Sequence, residues 1–324
     1  PEQVSTTEIP SRLPEAFAAA GSVCVTVRIL YDFTYDDHEN ERGPRQDLRH
    51  FLSDDPVLAP AGHAHHAAAY EQEQGRFQRD PFCDGGFAEY VAVPEKNLLE
   101  LPEGVTYEQA AMLEPMAVSV HAMRKGMALA GDISKSRVAI WGLGTIGLLL
   151  TMFLKDAGVK DLYVIGNKDA QKLHVGELGI PEENFCDSRK EDAAAWLMKR
   201  TDGVGVDLFF ECVGKNETVQ HAVELSAPGG SIVFVGNPYS DMTLPKAVYW
   251  KILRNELRVS GTWNSSFTGS EDDDWHYVVR ALAEGRVHPE KLITHRLPME
   301  QLMQGLTIMR DKTEDYVKIM GVNE

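Results

Sequence analysis

An α/β fold with a doubly wound parallel sheet is predicted by two features of the sequence. The first is an uncharged apolar run, residues 138–141, that leads into Gly142, Gly144 and Gly147 at G-x-G-x-x-G spacing and then into Leu148-Leu149-Leu150. The second is the alternation of Val-, Ile- and Phe-rich runs with helical stretches from residue 137 to residue 260, the pattern of a parallel sheet covered on both faces. Glycine spacing by itself is a weak signal. With a strand before it and a helix after it, it reads as a tight turn that presents a helix N-terminus to a diphosphate. Gly142 permits the turn, Gly144 lets the backbone approach the pyrophosphate, and Gly147 lets helix and strand pack closely. Thr145 and Ile146, inside the same turn, complete the candidate cofactor contacts there.

Along the chain, residues 23–30 alternate well enough for a strand, residues 36–47 are charged, and residues 59–69 mix alanine with histidine. Residues 84–93 read as a glycine turn opening a strand, residues 97–101 as a second short strand, and residues 108–112 and 116–127 as helical. Beyond the glycine turn, strands are expected at 161–165, 184–186, 206–210, 231–235 and 257–260. Helices are expected at 170–178, 191–201, 217–225 (ended by Pro228-Gly229-Gly230), 275–285 and within 297–309. The second strand of the sheet ends at Ile165-Gly166-Asn167-Lys168-Asp169. An acidic residue at that tip usually grips a ribose 2′-hydroxyl. Asn167 and Asp169 are the candidates here, Lys168 suits a 2′-phosphate, and Gly236 closes a later strand. NAD is expected over NADP because no arginine pair is evident, with NADP left open.

The 324 residues suit two domains, and 43% hydrophobic with 25% charged residues is a globular composition. A net charge of −17 repels nucleic acid and anionic membranes, so neither is expected as a partner. No apolar run is long enough to span a bilayer, and Pro1-Glu2-Gln3-Val4 does not open a signal peptide. Cys24, Cys83, Cys186 and Cys212 are scattered, with no C-x-x-C pair. That argues against a disulfide framework and for a reduced, cytoplasmic setting.

Longer motifs then carry a resemblance. Asp84-Gly-Gly-Phe-Ala-Glu-Tyr90, Leu113-Glu114-Pro115, the glycine turn, Phe210-Glu-Cys-Val-Gly214, the run 250–256, Gly261-Thr-Trp-Asn-Ser-Ser266 and the run 309–316 occur in one order. Together they resemble the zinc-containing medium-chain dehydrogenases, in their polyol and polyol-phosphate branch. The resemblance implies a GroES-like β-rich catalytic domain from residues 1–118 and 264–324, with a Rossmann nucleotide-binding domain, residues 119–263, between them. It implies NAD(H)-dependent, zinc-assisted oxidation of a secondary alcohol of a polyol or polyol phosphate, galactitol 1-phosphate-like. It also implies a homodimer or homotetramer joined through the nucleotide domain.

Before Asp84 the likeness fades, where the zinc ligands belong. Asp36 and His38 match the family's cysteine-containing run, but Phe33 stands at the thiolate position and cannot bind a metal. His63 matches the Gly-His-Glu histidine, and Ala64 replaces its glutamate. The resemblance thus assigns His63 and Glu114 to a catalytic zinc, with His65 or His66 as substitutes, and His38 and Tyr35 to a proton relay. Glu114 is also a candidate catalytic carboxylate. The segment between His63 and Asp84 is too short for the cysteine lobe, so no structural zinc is expected. A nucleotide-binding member without zinc chemistry and a zinc-free reductase stay open as alternatives. Lys246, Lys251 and Arg254 are candidates for a phosphate-binding patch or a solvated helix face. Asp272–Asp274 reads as an exposed helix N-terminus, and His121 as a packed helix histidine near the domain junction.

Overall fold

The computed structural model describes residues 98–322 and, as backbone, two short strands, β1 (Ser22–Val25) and β2 (Val91–Pro94), which pair antiparallel. β1 coincides with the start of the strand expected at 23–30, and β2 with the end of the one expected at 84–93. The strand expected at 97–101 does not form. Residues 98–102 have no regular structure, and Leu99 and Leu101 are apolar because they pack against the main core as coil.

Nine helices of the described residues come next in chain order: α1 (Tyr107–Ala110), α2 (Leu113–Ala130), α3 (Thr145–Asp156), α4 (Asp169–Glu177), α5 (Ala193–Arg200), α6 (Asn216–Glu224), α7 (Lys246–Arg254), α8 (Asp274–Ala283) and α9 (Leu302–Asp311). Among them run β3 (Arg137–Trp141), β4 (Asp161–Gly166), β5 (Phe185–Asp187), β6 (Val206–Glu211), β7 (Ser226–Phe234) and β8 (Arg258–Gly261). These six strands form one sheet, ordered β5-β4-β3-β6-β7-β8, parallel throughout. The order reverses between β3 and β6, which opens a crevice at the C-terminal ends of those strands.

Strand alternation divides the core in two. Val138, Ile140, Leu162, Val164, Leu208 and Phe210 pack on one face with α2 and α3. Ala139, Tyr163, Ile165 and Phe209 pack on the other with Leu197 of α5, Val223 of α6 and Val248 of α7. Both faces are covered, which is why these strands read as continuous apolar runs. Gly126 lets α2 lie flat on the sheet: a Cβ there would be 2.7 Å from Phe210 Cζ. α2 runs unbroken across residue 118, so the domain boundary expected at that point falls inside a helix rather than a linker.

Two local expectations change, and a third is met in part of its range. β7 begins at Ser226 and runs through Pro228-Gly229-Gly230, where a terminator was expected. The register against β6 shifts between Val206 and Leu208, so the glycines lie at an irregularity within the strand. The helix expected within 297–309 forms from Leu302 onward. Leu297 and Pro298 end β9 (Ile293–Pro298), which pairs in parallel with β10 (Lys318–Val322), and α9 begins after a short 3-10 turn. Finally, Asp273 and Asp274 are buried, at 4% and 1% exposure.

That burial has a structural purpose. Asp273 caps α8 by accepting from the His276 N–H. Asp274 accepts from Arg124 Nη1 at 2.7 Å and from Ser266 N at 2.8 Å, and meets His121 Nδ1 at 2.7 Å. One carboxylate thus fastens α8 to α2. Asp274→Ala should lower stability by about 2 kcal/mol, less than for a fully enclosed pair because Arg124 regains water. Urea unfolding of the variant beside Arg124→Ala, with the smaller loss expected for the latter, checks this.

Candidate functional site: the glycine turn and its surroundings

β3 ends at Trp141 and α3 begins at Thr145, leaving three residues for the turn. Gly142 has φ +107°, a region that L side chains rarely adopt, and its N–H donates to Ile165 O at 3.0 Å. A Cβ on Gly147 would lie 1.9 Å from Gly142 O, so helix and turn touch backbone to backbone. Gly144 is different: nothing lies within 4 Å of a Cβ built on it, and it is exposed. It is the N-cap of α3, which has no side-chain cap. The first N–H groups of α3, on Thr145, Ile146 and Gly147, have no carbonyl partner within the helix, and the positive end of the helix dipole lies behind them. This cradle fits a diphosphate. The Thr145 hydroxyl itself donates to Val317 O at 2.6 Å, which binds the segment entering β10 to the start of α3. The next residue, Lys318, is buried, and burial holds its ammonium well below the usual range.

Sequence reasoning missed the residue that organises the tip of β4. Gln171 Oε1 accepts from Asn167 N at 2.7 Å and Lys168 N at 3.0 Å, and its Nε2 donates to Leu143 O at 3.0 Å. One amide therefore joins the β4 tip to the glycine turn. The signal was a glutamine at the third position of a helix, where it reaches back to the residues before α4. Gly166 makes room for it, since a Cβ there would be 2.5 Å from Oε1. Asn167 and Asp169 are exposed, and Lys168 is half-buried, its ammonium 3.4 Å from Asp315.

On the far side of the crevice, the buried Glu211 carboxylate at the end of β6 accepts from Val213 N at 2.8 Å, Gly214 N at 2.9 Å and Thr218 Oγ1 at 2.8 Å. Gly236 packs into this loop, where a Cβ would be 2.3 Å from Gly214 N. Its place is a close backbone approach that shapes the crevice wall.

Glu114 lies in the first turn of α2. The Ser119 hydroxyl donates to Pro115 O at 2.9 Å and reaches Ile146 O at 3.2 Å, which holds the start of α2 against the start of α3. Five residues before Ser119, Glu114 is roughly 7 Å along the helix from that contact. Burial pushes its carboxyl up to about 7. Tyr35, His38 and His63, with Phe33, Ala64, His65 and His66, lie outside the described residues. Among the described residues no three His, Cys, Asp or Glu side chains gather around a metal position. Cys186 and Cys212 are free thiols, and burial raises both, Cys186 to about 12. Of the two readings of Lys246, Lys251 and Arg254, the solvated helix face fits better: Lys246 and Arg254 are exposed, and the Lys251 ammonium is bound to Glu224 O at the end of α6.

The chain shares 30% identity over 275 residues with (R,R)-butanediol dehydrogenase of Bacillus subtilis strain 168, covering 83% of this chain and 74% of that protein. The zinc-binding dehydrogenase family matches residues 145–284. The chain belongs to that family. Galactitol 1-phosphate 5-dehydrogenase of Escherichia coli K12 is 32% identical over 223 residues, 69% of this chain, and the match spans 63% of the relative's length. The crystal structure of galactitol-1-phosphate dehydrogenase from Escherichia coli superposes with a TM-score of 0.65 at 30% identity, over 74% of this chain and 67% of that one. A zinc-binding dehydrogenase of Sinorhizobium meliloti 1021 bound to NADP superposes with a TM-score of 0.64 at 26% identity, over 74% and 66%. The chain thus has a Rossmann-type parallel sheet like these structures. Among its described residues no helix is long and apolar enough to cross a membrane.

Two outcomes separate the roles of these residues. Gly144→Val should change stability by less than about 1 kcal/mol yet weaken dinucleotide binding at least about tenfold, whereas Gly147→Ala should lose both. Thermal unfolding paired with fluorescence titration of the reduced dinucleotide reads this. The second concerns Glu114. A carboxyl raised from 4.5 to about 7 in the folded state favours the protonated form there. Its stabilising balance is best below 4.5, falls as pH rises to about 7, and then levels. In chelator-treated protein, Glu114→Gln should match the wild type in acid and exceed it by about 2–3 kcal/mol above that range. Unfolding midpoints across pH test the sign.

Proposed function

We propose that the chain is a nicotinamide-dependent oxidoreductase that converts a secondary alcohol of a polyol or polyol phosphate to the ketone. The observation that supports this is the open N-terminus of α3 behind the glycine turn, which suits a diphosphate, with Glu114 in the first turn of α2, the helix that Ser119 ties to α3. Relatives named for galactitol 1-phosphate and (R,R)-butanediol support a substrate with several hydroxyl groups. A neighbour bound to NADP supports the cofactor class. The dinucleotide, when bound, supplies the hydride acceptor, and zinc, when bound, supplies Lewis acidity. A half-buried carboxylate with no cation among the described residues to offset its desolvation is chemically suited to a divalent ion, so Glu114 with His63 would hold zinc. His38 and Tyr35 would pass the alcohol proton to solvent.

Phe33 and Ala64 favour a second reading, in which the chain binds dinucleotide and the zinc chemistry is lost or replaced. Zinc content of the purified protein, paired with NAD+ and NADP+ reduction on galactitol 1-phosphate and on unphosphorylated polyols, separates the two. About one zinc per chain with turnover is the expected outcome. Turnover without metal makes the chain a zinc-free enzyme, and cofactor binding with neither zinc nor turnover sinks the first reading.

The partner we propose is a second copy of the chain. β8 is an edge strand of the sheet, with Val259 exposed, and Tyr249, Trp250, Leu253 and Trp263 are exposed at 52–63% on the helix before it and the loop after it. An unpaired edge with a large apolar patch is a surface that two-fold pairing covers. Light scattering should report a dimer or tetramer. Trp250→Glu combined with Val259→Asp should give a folded species of lower mass.

A further inference from the structure

The tip of β4 carries chemistry beyond what a dinucleotide as such requires. A dinucleotide lying across the C-terminal ends of β3 and β4 places its adenosine ribose beside this tip, where a carboxylate ordinarily grips the 2′-hydroxyl. Gly166 provides none, and Gln171 fills the space a larger residue would need. Asn167 is an exposed amide. Three cations gather here instead, each paired with a carboxylate: Lys168 with Asp315, and Arg189 and Lys190 with Asp169 and Asp187. Ser188 donates to Gly166 O from N at 2.9 Å and from Oγ at 3.0 Å, which brings the loop after β5 against the tip. In that loop the buried Asp187 carboxylate takes Arg189 Nε at 2.9 Å and Nη2 at 2.6 Å. Arg189 Nη2 and Lys190 Nζ extend to Asp169 at 3.0 and 2.8 Å. Lys168 comes directly after the tip.

The nearest carboxylate, Asp169, is therefore already shared by two cations and is a poor grip for a ribose hydroxyl. It is also exposed, with a side chain at 74%, so its ion pairs are of the kind that a competing anion replaces at little cost. A phosphate brings two charges and three acceptor oxygens, and a guanidinium fixed on one edge by a buried carboxylate is oriented to receive it.

We propose that Lys168 and Arg189, with Lys190 beside them, form a 2′-phosphate site, so that this chain prefers NADP(H) to NAD(H). Asp187 is the positioning residue for Arg189. The inference rests on reading the glycine turn as a dinucleotide site, and it reverses the cofactor preference expected from sequence. No arginine pair is evident in the sequence because Arg189 reaches the β4 tip only through strand pairing.

Nicotinamide fluorescence of the purified chain, titrated separately with NADPH and NADH, tests this. NADPH should bind at least about tenfold tighter. Arg189→Ala and Lys168→Ala should each remove most of that advantage while shifting NADH affinity by less than about twofold. Adenosine 2′,5′-bisphosphate should displace NADPH from the unmodified protein more strongly than AMP does, a comparison that needs no variant. Equal or tighter NADH binding, equal competition by the two adenosine nucleotides, or variants that weaken both cofactors alike would each overturn the site. Binding of neither dinucleotide would overturn the glycine-turn reading as well.

Discussion

The approach of Gly147 to the carbonyl of Gly142 is the constraint on which the rest of this molecule depends. With 1.9 Å between that oxygen and any Cβ, no side chain fits. α3 therefore starts immediately above β3, and its unpaired N–H groups emerge at the point where the sheet order reverses. The neighbouring contacts support this placement. Gln171 joins the β4 tip to Leu143, Ser119 joins α2 to Ile146, and Val317 receives the Thr145 hydroxyl. Each involves a backbone carbonyl of the turn or a group in the first turn of α3, so a shift of the helix start breaks several hydrogen bonds at once.

Charge in this acidic chain is distributed by function. Asp273 and Asp274 are buried where they cap a helix and clasp α2 to α8. Glu211 is buried where it shapes a loop with two backbone N–H groups. Asp187 is held well below the usual carboxylate range, first by the hydrogen bond from Arg189 and then by further donors in the same loop. Glu114 is the contrast, because burial raises it and no cation among the described residues offsets the effect. A carboxylate kept under that pressure is suited to receive a proton or an ion, whereas the others are already satisfied.

The sheet was largely legible in the sequence because its strands are buried on both faces and its turns are marked by glycine. All six parallel strands were anticipated to within a few residues except at Pro228-Gly229-Gly230, where breaker residues lie inside β7. β9 went unseen because its apolar residues, Ile293 and Leu297, are interrupted by Thr294, His295 and Arg296. The Asp272–Asp274 run looked solvated because partners such as Arg124 and His121 lie about 150 positions away. Ser188 and Arg189 were invisible for the same reason. Their roles arise from β4–β5 pairing, and composition carries no trace of it.

The contact between Thr145 and Val317 has a consequence for biosynthesis. It joins residues 172 positions apart. During translation the glycine turn, β3 and α3 emerge long before residue 317 is made. For that interval the start of α3 lacks the carbonyl that later anchors its threonine. The full set of contacts around the nucleotide cradle therefore requires the chain to be made through residue 317.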